Sequence, residues 1–162
     1  MGNSGIFDVW EAVQIAIEEE HHGLRFYEAL TACAQDPALR KAAKRFADEE
    51  RDHEGACSDM LGTLGLHSEE EAYPGEYIDY VNALIACKTF ENEGMAVRLA
   101  EEACGDLEAV ATAILFEKNT LLFLGELRAL VPPKARAVLN EMIEEDRQHL
   151  IYLTGLLSVL TN

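Results

Sequence analysis

Two short motifs in this chain each place a carboxylate three residues before a histidine. Glu50 precedes His53, and Asp146 precedes His149 at an offset of 96 residues from the first pair. Both motifs fall within the apolar stripe of a predicted helix, where burial of a charge is costly unless another group compensates it. A metal ion is the usual compensation, so the motifs predict a metal site assembled from two related halves.

Four predicted long helices each place one acidic residue in the apolar stripe, namely Glu20, Glu50, Glu117 and Asp146. Residues three apart on a helix lie about 60° apart around the axis and one turn along it, so each motif can chelate one ion. Glu20 and Glu50 are 30 residues apart, and Glu117 and Asp146 are 29 apart. This spacing predicts that the two carboxylates of each helical hairpin face each other at the same depth.

Four carboxylates and two imidazoles suit two divalent cations, whose charges would offset up to four negative charges in the core. Carboxylates can bridge two ions, and each histidine can complete the coordination of one. An oxygen-rich site with some imidazole favours iron or manganese, while zinc prefers more nitrogen or sulfur. The donor atoms therefore predict two ions of iron or manganese, with zinc as a possible substitute.

The elements that must position these residues are almost entirely helical. The apolar periodicity predicts a first hairpin over about residues 5–65 and a second over about 106–160. Pro37 and Pro133 begin the second helix of each hairpin, at the same offset of 96 residues. The segment 66–105 is a long, partly helical crossover in which 91–94 breaks two short helices. The prediction is an all-α antiparallel four-helix bundle that forms a single domain over 1–162.

Charge and cysteine content narrow the class of protein. Thirty acidic against 13 basic residues give a net charge of −17, which argues against nucleic acid and anionic membrane surfaces as partners. No apolar run is long enough to span a bilayer, and no secretory signal is visible. The four cysteines lack the CxxC spacing of a zinc ribbon or rubredoxin centre. We expect a cytoplasmic protein with reduced cysteines.

The four helix segments that carry these residues resemble rubrerythrin-type members of the ferritin-like di-iron superfamily. In the first segment, Glu20 is followed by Gly23 and by the pair Phe26–Tyr27. The resemblance extends over essentially the whole chain, and the pairing of its motifs is more specific than any one of them. The matching segments are Glu20–Tyr27, Phe46–His53, Phe116–Phe123 and Ile143–His149.

This resemblance implies a ferritin-like fold and a di-iron centre. It implies that Glu50 and Asp146 bridge the two ions, and that Tyr27 forms a hydrogen bond near the cluster. Asp146 stands where glutamate is usual, and Thr120 and Ile114 are the neighbours of Glu117 where rubrerythrins carry an extra carboxylate. The implied metal ligands are Glu20, Glu50, His53, Glu117, Asp146 and His149.

The function implied is reduction of peroxide or dioxygen by a homodimer, as a peroxidase or ferroxidase. Because no CxxC pair is appended, electrons would come from a separate donor such as a rubredoxin-like protein. An iron-binding or storage protein with ferroxidase chemistry is the alternative, which subunit number would distinguish. A metal-free structural bundle is a third reading, which two buried histidines disfavour.

The charged neighbours of the predicted ligands are expected to face solvent. The acidic ones would contact water or the arginines Arg51 and Arg147. The residues expected at the surface are Glu18, Glu19, His21, His22, Glu49, Glu144 and Glu145. Glu91 and Glu93, in the crossover, are predicted to lie away from the site.

Overall fold

The computed structural model describes residues 6–7, 9–64, 71–72, 75–103 and 105–162. Within these residues the chain forms six α-helices, which confirms the predicted all-α bundle of two hairpins and a partly helical crossover. None of the described helices is long and apolar enough to pass through a lipid bilayer. The helices are α1 (Val9–Cys33), α2 (Pro37–Leu64), α3 (Gly75–Ala86), α4 (Glu93–Glu102), α5 (Asp106–Leu130) and α6 (Pro133–Leu160).

The two hairpins turn in related ways. Pro37 and Pro133 are the first residues of α2 and α6, as predicted. Arg40 donates to the carbonyl oxygen of Ala34 at 2.6 and 3.1 Å, and its repeat counterpart Arg136 donates to that of Val131 at 3.3 Å. Each arginine therefore satisfies a carbonyl at the end of the preceding helix, where helical partners run out.

The two crossover helices pack on different hairpins, α3 on α5 and α4 mainly on α1. The break between its two helices lies at residues 87–92, and Asn92 caps α4 by accepting from the Met95 amide at 2.9 Å. The predicted break at 91–94 is therefore displaced, because Glu93 and Gly94 already belong to α4. At the start of α5, Asp106 accepts from the backbone amide of Asp36 at 2.6 Å, which joins the two halves.

Two short strands were not predicted. Ile6–Phe7 pairs antiparallel with Glu71–Ala72, so the predicted start of the first helix at residue 5 is wrong and α1 begins at Val9. Two residues cannot display the alternation by which strands are recognised in a sequence.

The apolar core consists of two clusters. One includes Leu30, Leu39, Val110 and Leu153, and the other includes Val13, Met60, Leu127 and Leu139. In each long helix the predicted ligand positions fall between the residues of these two clusters. The acidic residues and histidines are therefore held between two layers of close-packed side chains, which restrict their movement.

Candidate metal centre

The structure brings all six predicted ligands together at the middle of the bundle. They come from all four long helices, and each is at most 2% exposed to solvent. The six residues are Glu20 on α1, Glu50 and His53 on α2, Glu117 on α5, and Asp146 and His149 on α6.

Each histidine lies beside one glutamate from the other helix of its own hairpin. Nδ1 of His53 is 3.4 Å from Oε2 of Glu20, and Nδ1 of His149 is 3.2 Å from Oε1 of Glu117. The two halves are alike, as the 96-residue repeat predicted. Each half therefore offers one carboxylate and one imidazole nitrogen to a common position.

Glu50 and Asp146 each reach both halves. The oxygens of Glu50 lie 4.0 Å from Nδ1 of His53 and 3.7 Å from Nδ1 of His149. Oδ1 of Asp146 lies 3.5 and 3.9 Å from the same two nitrogens. Ligand atoms within 4.8 Å of one another form two groups that share Glu50: Glu20, Glu50 and His53, and Glu50, Glu117, Asp146 and His149.

Most carboxylate oxygens of this cluster lack hydrogen-bond partners. Seven of their eight oxygens are buried and unpaired, and only Oε1 of Glu117 is not among them. Burial, together with the charges of the surrounding carboxylates, raises the pKa of Glu50 and of Asp146 well above the ordinary range. Unpaired buried carboxylates are strongly unfavourable, so the donor set fits divalent cations that would neutralise and coordinate it.

A second carboxylate contacts the outer nitrogen of each histidine. Nε2 of His149 is 2.5 Å from Oε2 of Glu49, and Nε2 of His53 is 2.7 Å from Oε2 of Glu145. The expectation that Glu49 and Glu145 face only solvent or arginines is therefore wrong. Glu49 is half-buried and Glu145 is exposed, yet each turns one oxygen inward across the α2–α6 interface.

The charges around His53 favour its protonated form. Burial alone would lower the pKa of this imidazole, but Glu20, Asp146 and Glu145 outweigh burial and raise it to about 10. The pKa of His149 is also raised, because Glu117 and Glu49 outweigh the opposing effect of burial. In the absence of metal, protons on these rings are thus the nearest source of positive charge.

Tyr27 is fully buried and its hydroxyl donates to Oε1 of Glu117. This agrees with the hydrogen bond near the cluster that the resemblance implied. Burial and the negative charges of Glu117 and Glu50 raise its pKa well above 10, so the phenol keeps the proton that it donates. Its ring packs edge-on against Phe46, with ring centroids 5.3 Å apart, which fixes its direction.

Two other neighbours of the ligands were placed wrongly from the sequence. Glu19 and His22 were expected at the surface but are only 6% and 8% exposed. His21 remains partly exposed and contacts Glu54 and Glu93 at 3.3 Å each. Glu93 thus lies on the outer side of α1, in keeping with the prediction that it stays away from the ligands.

Only one of the two arginines contacts an acidic neighbour of the ligands. Arg147 lies 3.4 Å from Glu144, as predicted, whereas Arg51 pairs with Asp48 at 2.8 Å and Glu28 at 2.9 Å.

The roles of Glu49 and Glu145 could have been suspected, because these residues repeat at the same offset of 96 as the histidines. Nothing in the sequence marks Glu19 and His22, whose burial is a consequence of tertiary packing.

A sequence model of the family described as Rubrerythrin matches residues 11–114. The match includes Glu20, Tyr27, Glu50 and His53 but ends before Glu117. The assignment of ligands on α5 and α6 therefore depends on the structure and on the 96-residue repeat. Comparisons with curated proteins and with solved structures found no match. Because the matched segment is well over half of the 162 residues and its fold is the ferritin-like bundle, the chain belongs to the rubrerythrin family.

Proposed function

We propose that this protein is a non-haem di-iron oxidoreductase that reduces peroxide or dioxygen with electrons from a separate donor protein. One observation carries the proposal: two half-sites, each with a carboxylate and an imidazole, share two further carboxylates whose oxygens are buried and unpaired. Such an arrangement suits two metal ions held close together in a bundle core.

The distances suggest how the ligands would be divided. Glu20 and His53 would hold one iron, Glu117 and His149 the other, and Glu50 and Asp146 would bridge them. Manganese or zinc could substitute with the same donors. When bound, two ferrous ions supply the two electrons that, with two protons, convert one hydrogen peroxide into two waters.

Three residues that contact the ligands would hold them in position. Glu49 and Glu145 fix the direction of the two imidazole rings, and Tyr27 holds Glu117 by donating a hydrogen bond. Carboxylates that hold the outer nitrogen of a metal-binding histidine commonly set its tautomer and strengthen its basicity. The two apolar clusters would keep bulk water from the reacting atoms.

We also propose that the electrons come from another protein, of which a rubredoxin-like carrier is the simplest kind. Ligands are drawn from all four long helices, so we also propose that residues 1–162 act as one functional domain. The cytoplasmic location stays a prediction from cysteine usage.

We further propose that the protein forms a homodimer through the outer face of α5. Leu107, Leu115 and Leu122 are about half exposed along this face. Asp106 and the exposed Glu108 flank Leu107 at one end of this face. Between Ala109 and Gly125 the only acidic residue is the buried Glu117, so over that stretch two copies that each carry a charge of −17 could meet without opposing carboxylates. In an antiparallel pair, Leu107 of one copy would lie opposite Leu122 of the other, a self-complementary arrangement suited to a two-fold axis.

The alternative function is iron binding or storage, in which ferroxidase chemistry serves only the uptake of iron. Thr120 occupies the position one turn after Glu117 and contributes no carboxylate there. A dimer that turns over peroxide repeatedly would support the reductase. A cage of many subunits that accumulates iron beyond the ligand set would support storage.

The first test is metal content after anaerobic loading with ferrous iron. We expect about two irons per chain, no stoichiometric iron in the double variant Glu50→Ala/His149→Ala, and full loading of the control Asp52→Ala/Gln148→Ala, which alters exposed residues on the same helices. Peroxide added to the loaded protein, with a reductant supplied, should be consumed over many cycles. Absence of stoichiometric iron in the wild-type protein, or bound iron that consumes neither peroxide nor dioxygen, would overturn the proposed reductase activity.

A further inference from the structure

Among the residues that the structure describes, three buried side-chain polar atoms outside the metal cluster also lack hydrogen-bond partners. They are Oε1 of Glu19, Nδ1 of His22 and Oγ1 of Thr120, and each residue is more than nine-tenths buried. Oε1 of Glu19 is 3.6 Å from Nδ1 of His22, which is beyond hydrogen-bond distance. Buried polar groups of this kind are normally satisfied by protein or by ordered water.

Two of these residues, Glu19 and Thr120, line a small cavity. Its polar lining is Glu19 on α1, Lys88 after α3, and Asn119 and Thr120 on α5, and the remainder is apolar. The space open to the centre of a water molecule is about 10 Å³, which is room for roughly one water. A water there would have three polar partners within its walls, as buried waters usually require.

Lys88 closes the outer side of this cavity. Its Nζ lies 3.9 Å from Oε1 of Glu19, and its side chain is one-quarter exposed. Asn119 holds the residues on both sides of Lys88, because its amide nitrogen donates to the backbone carbonyl of Cys87 at 3.0 Å and to the side-chain Oγ1 of Thr89 at 2.9 Å. The lysine is therefore held over the cavity while its flexible stem keeps contact with solvent.

We propose that Glu19, Thr120 and Lys88 form a binding site for one small hydroxylic molecule, water in the resting protein and hydrogen peroxide when it is supplied. The carboxylate oxygen accepts a hydrogen bond, the ammonium donates one, and the threonine hydroxyl can do either. Hydrogen peroxide presents the same donors and acceptors as water and is longer by one oxygen atom. Movement of the Lys88 side chain would provide the additional room.

Two residues of the site adjoin predicted metal ligands along their helices. Glu19 precedes the ligand Glu20, and Thr120 follows the ligand Glu117 by three residues, about 4.5 Å along the helix axis. A molecule held here would be a short distance from the reacting centre. The assignment of peroxide as an occupant rests on the proposed function, whereas the assignment of water does not.

Crystal structures of the metal-free protein test both occupants. We expect one water within hydrogen-bond distance of Thr120 Oγ1 and Glu19 Oε1, and density for a two-oxygen molecule after a peroxide soak. Thr120→Val, which keeps the shape and removes the hydroxyl, should lose the occupant, whereas Thr112→Val should retain it. Thr112 is a suitable control because it lies on the same helix and bonds the Glu108 carbonyl at 3.0 Å. An empty wild-type cavity would overturn the site, and unchanged density after the soak would overturn peroxide as its ligand.

Peroxide oxidation of anaerobically loaded protein provides a second readout. Thr120→Val and Lys88→Met should retain the iron content of the wild type and slow the second-order reaction about tenfold, the effect of one lost hydrogen bond. Wild-type rates in both variants would overturn a role in peroxide binding. If the loaded wild type consumes no peroxide at all, the proposed function fails, while the water site is still decided by the metal-free crystals.

Discussion

The outer nitrogen of His149 lies 2.5 Å from a carboxylate oxygen of Glu49 on the neighbouring helix α2. Glu145 on α6 holds His53 of α2 in the same way, at 2.7 Å. The two contacts cross the α2–α6 interface in opposite directions, so each helix orients the histidine of the other. A proton on each Nε2 would leave the lone pair of Nδ1 directed into the cluster, where a metal could accept it.

Glu49→Gln should therefore weaken iron binding without abolishing it. The amide is a poorer acceptor than the carboxylate, and loss of such a contact typically reduces metal affinity about 10- to 100-fold. Anaerobic competition against a chelator would measure the change. Glu144→Gln, which removes one charge from an exposed pair with Arg147, is the matched control and should leave affinity nearly unchanged. Equal losses in both variants would show that overall charge, not orientation of His149, governs binding.

Glu50→Gln should change stability in opposite directions in the two forms of the protein. Without metal, Glu50 is a buried acid among three other carboxylates with a raised pKa, so folding at neutral pH must bury its charge or bind a proton, and glutamine removes that cost. We expect the metal-free variant to gain about 1–3 kcal/mol in the free energy of unfolding. With saturating ferrous iron the order should reverse, because the wild type gains binding energy that the variant lacks. Urea unfolding with and without iron decides this, and a metal-free variant less stable than the wild type would contradict it.

Tyr27→Phe should destabilise the fold although the aromatic ring is retained. The change removes a buried donor to a carboxylate, and such hydrogen bonds contribute about 1.5–3 kcal/mol. Urea unfolding of the metal-free variant would measure the loss. Tyr152→Phe, at a partly exposed position on α6, is the control and should change stability by less than about 0.5 kcal/mol. A loss of similar size in both variants would mean that the hydrogen bond to Glu117 is unimportant.

The sequence was sufficient to predict the features that repeat. Periodicity located the four long helices, and the offset of 96 residues related His53 to His149 and Pro37 to Pro133. A residue that appears twice in equivalent surroundings is recognisable because the same packing selects it twice. The convergence of the six predicted ligand residues could be anticipated for that reason.

Features that depend on contacts between the halves and the crossover could not be predicted. Glu19 and His22 lie next to Glu20 in sequence, and one helix face cannot explain burial of all three. Helices α3 and α4 cover additional sides of the core, which gives α1 more than one buried face. Periodicity within a single helix does not contain that information.

The exposed leucines of α5 give a further prediction about assembly. Leu115→Glu should dissociate the proposed homodimer, because the new carboxylate would lie near its symmetry mate in an apolar contact. Ser58→Glu adds the same charge to the exposed face of α2 and is the matched control. Sedimentation at several concentrations would measure the association. A wild-type monomer, or a variant dimer as stable as that of the wild type, would exclude this face as the interface.

Gly23 is required for the close approach of α1 to α5. A Cβ atom at this position would lie 2.4 Å from Cζ of Phe116 and 3.1 Å from Oε2 of Glu50. The Phe116 ring cannot easily move aside, because it stacks on Phe90 with centroids 5.2 Å apart. Overpacking of this kind costs about 1–3 kcal/mol, which exceeds the gain of roughly 0.5–1 kcal/mol from alanine in a helix.

Gly23→Ala should therefore lower the free energy of unfolding, and by displacing Glu50 it should also weaken iron binding. Gly55→Ala is the matched comparison, since a Cβ there meets no atom within 4 Å. That substitution should stabilise the protein by about 0.5–1 kcal/mol, because only the helix propensity changes. Urea unfolding and iron titration of the two variants separate packing from propensity. Stabilisation in both would mean that α1 and α5 can move apart, and that the glycine does not set the spacing of the ligands.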